Sequence, residues 1–148
     1  MASDEELELI SPCGLYCGNC PLFLARTDET LRKKMAEGQG IPEDEVVLCA
    51  GCRPMQGRVA FPWAKNGCDT YKCAVEGKNV DFCYECDDFP CLKLAPCADR
   101  AQELPHNTKV YHLLLLQKDG IDAFVRKYPD LIRQYRRGKK TIPGSDIQ

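Results

Sequence analysis

Apolar residues in this chain recur mainly at helical spacing, in short stretches separated by glycine, proline and cysteine. Ser3 followed by Glu6 has the form of a capping box, and Leu7 and Ile10 are the apolar positions of a short helix behind it. Pro21 suits the first turn of a second helix, because its missing N–H would have no partner there. These helices are too short to be stable alone, so their stability must come from packing or from a ligand.

Helical spacing continues from Leu24 to Met35 and ends at Gly38 and Gly40, and Asp28 can divide this stretch in two. Further short helices are predicted at 42–47, at 71–77, and from Cys91 onwards. The best candidate for a strand is VAFPW at 59–63, but Pro62 is unsuited to the interior of a sheet. The pattern therefore predicts a mainly α protein.

The C-terminal part has a stronger helical pattern. A helix over 110–119 is expected to end at Gly120 in a left-handed cap. The next segment, 121–128, places four apolar residues at i, i+3, i+4 and i+7, namely Ile121, Phe124, Val125 and Tyr128. Pro129 is predicted to close this helix and to open a last one that contains Leu131 and Ile132.

Composition indicates an ordinary globular protein, with 44% apolar and 28% charged residues in a chain of 148. The longest apolar run is Leu113 to Leu116, far below the roughly 18 residues of a membrane-spanning helix. The N-terminus, MASDEELELI, is acidic where a secretory signal would be basic and then apolar. We therefore expect a cytoplasmic protein without a membrane partner.

Charge and cysteine divide the chain in the same place. All eleven cysteines lie between Cys13 and Cys97, and the net charge is −4 over 1–60, −3 over 61–105 and +5 over 106–148. We place the boundary near Pro105. This predicts a cysteine-rich metal-binding domain at 1–105, a helical segment at 106–140 packed on it, and a flexible tail at 141–148.

Cysteine so dense in a reducing compartment more often binds metal than forms disulfides, and the odd total also argues against a complete disulfide framework. A secreted disulfide scaffold is the alternative if the chain is exported. Three pairs have the C-x-x-C spacing of zinc knuckles, turns in which two sulfurs converge on one ion: Cys17 with Cys20, Cys49 with Cys52, and Cys83 with Cys86. Three such pairs within about seventy residues are a strong signal for metal binding.

Tetrahedral zinc takes four ligands, so eight cysteines would fill two closed sites. The preferred first group is Cys17, Cys20, Cys49 and Cys52, and the preferred second group is Cys73, Cys83, Cys86 and Cys91. Cys68 competes with Cys73, and Cys13 can displace a member of the first group, because sequence order does not dictate which pairs meet. Cys97 is interpreted as a free buried thiol.

Zinc, as two ions, is the favoured metal because the paired turns are separated by roughly thirty residues and no C-x-x-C-x-x-C run occurs. The alternative is an iron–sulfur cluster with a redox or electron-transfer role, since a cysteine followed by proline, as at Cys20, also occurs in ferredoxin ligation. No βαβ pattern surrounds any of the pairs, as a thioredoxin-like site would require.

Four blocks of the sequence together resemble a known family. They are CGLYCGNCPLFLA at 13–25, CAGCR at 49–53, CDTYKC at 68–73 and CYECDDFPCLKL at 83–94. They resemble, in the same order, the cysteine-rich bacterial and archaeal family named domain of unknown function 3795, over residues 10 to 95. The resemblance implies a zinc-binding domain without an established reaction, and it carries the ligand pattern onto the ten cysteines from Cys13 to Cys91.

No catalytic motif is present. The C-x-x-x-C-x-x-C spacing of Cys13, Cys17 and Cys20 also occurs in radical enzymes, but their barrel takes about 200 residues or more. The zinc deaminase signature is absent, and the two histidines, His106 and His112, lie outside the cysteine-rich region, with His112 interpreted as a packing residue.

The sequence therefore favours a non-enzymatic protein in which structural zinc sites support a surface that binds a partner, either protein or nucleic acid. Nucleic acid is suggested by five cations near the C-terminus: Arg133, Arg136, Arg137, Lys139 and Lys140. A solvated helix end, in which the cations favour the C-terminal dipole, explains the same residues.

Overall fold

Helices form the regular structure of the chain in the computed structural model, which describes residues 3–60, 66–94 and 108–138. Within those ranges there is no strand, and the sheet-like pairing is one antiparallel bridge between Ile10 and Tyr16. The predictions for Cys97, for the boundary near Pro105, for His106, for most of 59–63, and for the chain after Gly138 fall outside the described residues.

Helix α1, Asp4–Glu8, has the predicted capping box: the Glu6 amide donates to the Ser3 hydroxyl at 3.2 Å, and the Ser3 amide donates to the Glu6 carboxylate at 3.1 Å. Helix α2, Pro21–Leu24, begins at the predicted proline. The predicted division after it is also confirmed, because Asp28 caps a separate helix, α3, Glu29–Gln39, through the Leu31 amide at 2.9 Å.

The helical segments in the middle of the chain are shorter than predicted or differ from an α-helix in their hydrogen bonding. The predicted helix at 42–47 is a 3₁₀ turn, Glu43–Glu45. Helix α4, Asp69–Tyr71, continues directly into a π-helical turn, Lys72–Gly77, so the prediction of helix up to Gly77 is confirmed with a wider hydrogen-bonding register. The helix predicted from Cys91 is also shorter, a 3₁₀ turn at Leu92–Leu94.

Helices α5, Thr108–Asp119, and α6, Ile121–Arg137, form an antiparallel pair joined by Gly120. Gly120 has a positive φ of 78°, but its ψ of 171° is extended, so the prediction of a left-handed cap is wrong in ψ. The Gly120 carbonyl instead accepts the first hydrogen bond of α6, from the Phe124 amide at 3.1 Å.

The prediction that Pro129 ends a helix is wrong, because α6 runs through it to Arg137. Pro129 is exposed and lacks only its own N–H, whereas Tyr128 before it is buried and Ile132 after it packs against the same core. The apolar face of α6 therefore continues past the proline, and its packing offsets the lost hydrogen bond.

One buried core joins the two parts of the chain. Ile10, Phe82 and Leu94 come from the cysteine-rich part, and four further residues come from the helical pair, Leu113, Leu116, Phe124 and Tyr128. His112 lies in this core at 1% exposure, with its ring 5.6 Å from that of Phe124 and 5.1 Å from that of Tyr128. Among the described helices, none has the length and apolar character needed to cross a membrane.

Candidate metal centre

The first two C-x-x-C turns lie against each other. Cys17 starts a 3₁₀ turn, Cys17–Asn19, and the Cys20 amide closes it by donating to the Cys17 carbonyl at 2.9 Å. The Cys49 amide donates to the Leu22 carbonyl at 3.1 Å, and the Cys52 backbone is close enough to the Cys17 thiol to offset part of the rise that burial causes in its pKa. These contacts bring together the two turns of the first predicted group.

Gly51 permits this close approach. Its φ of 103° is in the region that favours glycine, and a Cβ atom placed on it would lie 3.7 Å from the Cys17 sulfur. Gly51 thus lets the backbone of the second turn approach the Cys17 sulfur closely. Glycine is suited to such turns because it adopts this conformation without strain.

The second predicted group surrounds a cavity of about 30 Å³. All four of its cysteines line this cavity, together with apolar side chains such as Ala74, Val80 and Leu94: Cys73, Cys83, Cys86 and Cys91. A site for one water molecule needs at least about 10–15 Å³, so this space has room for a small guest.

Two different local structures supply these cysteines. Cys83 begins a 3₁₀ turn, Cys83–Glu85, that the Cys86 amide closes on the Cys83 carbonyl at 3.2 Å, the same arrangement as at Cys17. Cys73 lies in the π-helical turn, whose extra residue per turn changes the direction of the side chains, and such turns are frequent at functional sites.

Cys13 and Cys68, the two competing candidates, lie beside members of these groups. The Cys83 amide donates to the Pro12 carbonyl at 2.9 Å, which places Cys13 beside the third pair, and the Cys13 sulfur lies 3.2 Å from the Ser11 hydroxyl. The Cys68 amide donates to the Gly57 carbonyl, and the Gly57 amide donates to the Cys52 carbonyl at 2.8 Å. Cys13 therefore lies near thiols of both groups, whereas Cys68 lies near Cys52 of the first group.

Burial keeps these thiols protonated. It raises the pKa of Cys17 to about 11 and that of Cys83 to about 12, and the neighbouring thiols add to both shifts. For Cys83 those neighbours are Cys13, Cys91, Cys73 and Cys86, and for Cys17 they are Cys20, Cys49 and Cys13. Burial also raises the pKa of Cys13 and of Cys52, and the thiols that add to the shift at Cys52 are Cys13, Cys17 and Cys68. A divalent cation would reverse this balance, because a coordinated thiol loses its proton.

The ten cysteines of the described ranges are all free thiols: Cys13, Cys17, Cys20, Cys49, Cys52, Cys68, Cys73, Cys83, Cys86 and Cys91. As their side chains are placed, no three cysteine, histidine, aspartate or glutamate residues in residues 3–60, 66–94 and 108–138 form a group that could hold a metal ion. Metal binding therefore requires the thiols of a group to rotate toward a common point.

Two side chains next to the second pair were not singled out from the sequence. The Met55 sulfur accepts from the Ala50 amide at 3.2 Å and lies 3.7 Å from the Cys49 sulfur. Arg53 reaches across to two other segments, with Nε 2.8 Å from the Ile10 carbonyl. The sequence marks these two residues only by their position within three residues after CAGC, and that position does not reveal what the side chains contact.

The Nδ1 hydrogen bond of the His112 side chain goes to the backbone and not to a thiol, because Nδ1 donates to the Gly14 carbonyl at 3.2 Å. Burial lowers its pKa to about 4, so the ring is neutral at pH 7. Its interpretation as a packing residue is confirmed, and its burial is more complete than expected.

Comparison with known protein families matches residues 9–96 to the model described as "Protein of unknown function (DUF3795)", more than half of the chain. The chain belongs to this family. The DUF3795 match contains the ten cysteines from Cys13 to Cys91 and ends just before Cys97. It leaves out α5 and α6, although these helices supply four residues of the core. No curated protein and no solved structure matches the chain significantly.

Proposed function

We propose that this DUF3795 protein is a cytoplasmic zinc-binding protein with two structural all-cysteine sites, and that it acts as a module for binding another protein. The observation that carries the proposal is the cavity lined by Cys73, Cys83, Cys86 and Cys91. Four soft thiols around a space for one small guest are the donor set that tetrahedral zinc prefers.

The contact between the first two C-x-x-C turns supports a second site. Cys17, Cys20, Cys49 and Cys52 would hold its ion, and a Cβ atom placed on Gly51 in the second turn would lie only 3.7 Å from the Cys17 sulfur of the first. Zinc at both sites would supply what the short helices lack, since the binding free energy of structural zinc is folding free energy.

A structural role fits the chemistry better than catalysis. A zinc ion held by four thiolates has no position left for a reacting water. His112 is engaged with the Gly14 carbonyl inside the core and is unsuited to act as a general base at either group. A partner protein is favoured over nucleic acid because Arg136 and Arg137 lie in the last turn of α6, where cations are explained by the helix dipole alone.

The alternative is an iron–sulfur protein with a redox or electron-transfer role. It is favoured by the position of Cys13 and Cys68 beside the groups, because two additional thiols are more than two zinc sites need. In that case Cys13, Cys17 and Cys20, which share one short loop, would ligate the cluster together.

Elemental analysis and visible spectroscopy of anaerobically purified protein test the proposal. We expect a colourless protein with about two zinc ions per chain. In C83S and C52S the zinc content is expected to fall, and C97S serves as the matched control that leaves it unchanged. A brown protein that contains iron and sulfide would replace the zinc proposal with the cluster alternative, and a protein free of both metals would refute both.

A further inference from the structure

Arg53, the residue directly after the second C-x-x-C pair, contacts two other segments of the chain. Its Nε donates to the Ile10 carbonyl at 2.8 Å, and its Nη2 donates to the Asp81 carbonyl at 2.6 Å. Nη1 lies 3.6 Å from the Asp81 carboxylate, and the guanidinium lies over the Phe82 ring, 5.4 Å from its centre. Only 10% of the Arg53 side chain is exposed, whereas the Asp81 side chain is 63% exposed.

These contacts join three segments that carry cysteines from both groups. Arg53 follows Cys52 of the first group, whereas Asp81 and Phe82 immediately precede Cys83 of the second. Ile10 precedes the loop of Cys13 and Cys17, and its carbonyl accepts the hydrogen bond from Arg53. One side chain therefore spans the distance between the two thiol groups.

The anchoring points are rigid parts of the molecule. Ile10 is 0% exposed and Phe82 is 3% exposed, and both belong to the core. A second link runs in parallel, from the Cys83 amide to the Pro12 carbonyl at 2.9 Å. Arginine suits this position because its planar fork donates in several fixed directions, whereas a lysine would present a single point charge.

We propose that Arg53 is a positioning residue that couples the two thiol groups, so that a metal ion bound at one raises the affinity of the other. This inference rests on the proposed metal-binding function. An ion at the first group orders the Cys49–Cys52 turn and with it the base of Arg53. The fork then holds the backbone at Asp81 and Phe82, so Cys83 and Cys86 are ordered before the second ion arrives, and that ion loses less conformational freedom on binding. By linkage the effect is reciprocal.

A double-mutant cycle with Co²⁺ as the probe tests the coupling. Co²⁺ occupies tetrahedral thiolate sites and gives them visible absorption, so each titration reports binding directly. The first group is removed by C17S/C20S, and the Co²⁺ affinity of the second group is measured anaerobically in the Arg53 chain and in R53M. In the Arg53 chain, loss of the first group is expected to weaken the second by about 5- to 150-fold, the usual range of such couplings.

In R53M the same loss is expected to weaken the second group less than it does in the Arg53 chain. The difference should exceed the roughly twofold scatter of non-interacting sites, and the bond from Cys83 to Pro12 carries what coupling remains. The matched control is R32M. Arg32 also donates to a backbone carbonyl, that of Ala25 at 3.1 Å, and pairs with Glu43, but it joins no cysteine pairs. In R32M the coupling should keep its full size. R53K, which keeps the charge and loses the fork, should behave as R53M and replaces it if R53M does not fold.

Three results would overturn the inference. Equal weakening by C17S/C20S in the Arg53 and R53M chains would show that the coupling runs through the shared core. No weakening in either would show that the groups are independent. Full coupling in R53K would show that charge and not the fork is responsible. In each case Co²⁺ still binds, so the proposed metal-binding function stands, whereas a chain that binds neither Co²⁺ nor Zn²⁺ refutes both.

Discussion

The cysteine-rich part and the pair of helices α5 and α6 hold their backbones in place by different means. Among the described residues from 3 to 60 and 66 to 94 the longest helix is α3, with 11 residues, and the other helical elements have three to six. Several turns between them close on cysteine amides and carbonyls. In contrast, α5 and α6 have 12 and 17 residues and supply four of the seven residues of the core cluster.

This difference indicates where each part obtains its stability. A helix of three to six residues is not stable without tertiary contacts, and the cysteine-rich part supplies only Ile10, Phe82 and Leu94 to the core cluster. It therefore depends on the helical pair and, in our proposal, on bound zinc. The helical pair supplies the larger share of this cluster and, in our proposal, depends less on metal.

Metal removal should have the largest effect. Structural zinc sites contribute about 10–16 kcal/mol of apparent binding free energy at pH 7, more than the total stability of most domains. A strong chelator is therefore expected to abolish the folded cysteine-rich part, with loss of helical circular dichroism. Unchanged spectra after elemental analysis has verified the loss of metal would contradict the proposed dependence on zinc.

Truncation of the shared core should be the next largest effect. Leu113 is 0% exposed, so L113A is expected to lower the free energy of unfolding by about 2–5 kcal/mol. The matched control is L114A on the same helix, where the side chain is 46% exposed and the expected change is within about 0.5 kcal/mol. Urea unfolding of both variants measures the difference. Equal changes would mean that α5 does not pack through Leu113.

Acid should weaken the core through His112. Its pKa is about 4 in the folded protein and about 6.5 when unfolded, so between these values the unfolded chain binds a proton that the folded chain does not. The stabilising contribution is complete above pH 6.5 and is lost as the pH falls toward 4. A shift of this size corresponds to a change on the order of 3 kcal/mol.

Urea unfolding of metal-loaded protein between pH 4 and 6.5 measures this contribution, with metal content checked at each pH. Because cysteine ligands also take up protons in acid, the informative quantity is the difference between wild type and H112Q or H112F. Both variants should show a shallower dependence on pH. Tyr128, which faces the ring, does not interfere because burial raises its pKa to about 12. An unchanged slope in both variants would contradict the role of His112.

Local signals in the sequence predicted local structure well. The capping box at Ser3, the proline start of α2 and the break at Asp28 are confirmed because each depends on atoms only a few residues apart. Cys73, Cys83, Cys86 and Cys91, which lie within about twenty residues of one another, line one cavity. Their assignment to one metal site stays a prediction.

Contacts between distant segments could not be predicted in the same way. Arg53 reaches Ile10, 43 residues away, and Asp81, 28 residues away, and no pattern in the sequence marks such partners. His112 was assigned to packing correctly, but its bond to the carbonyl of Gly14 spans 98 residues. These contacts depend on how the helical pair and the cysteine turns pack together, which is a property of the whole fold.

Replacement of Pro129, inside α6, should have the smallest effect. It tests why the helix does not end at this proline, as the sequence predicts. Proline costs about 3 kcal/mol relative to alanine inside a helix, and part of this is offset because proline also restricts the unfolded chain by about 0.4–1 kcal/mol. Pro129 is exposed, so P129A removes no buried contact and should stabilise the protein by about 2 kcal/mol. If the helix instead ended at Tyr128, as the proline alone would predict, alanine would remove a stop and bring no such gain. Urea unfolding of P129A therefore distinguishes a helix held continuous by its apolar face from two helices that meet at the proline.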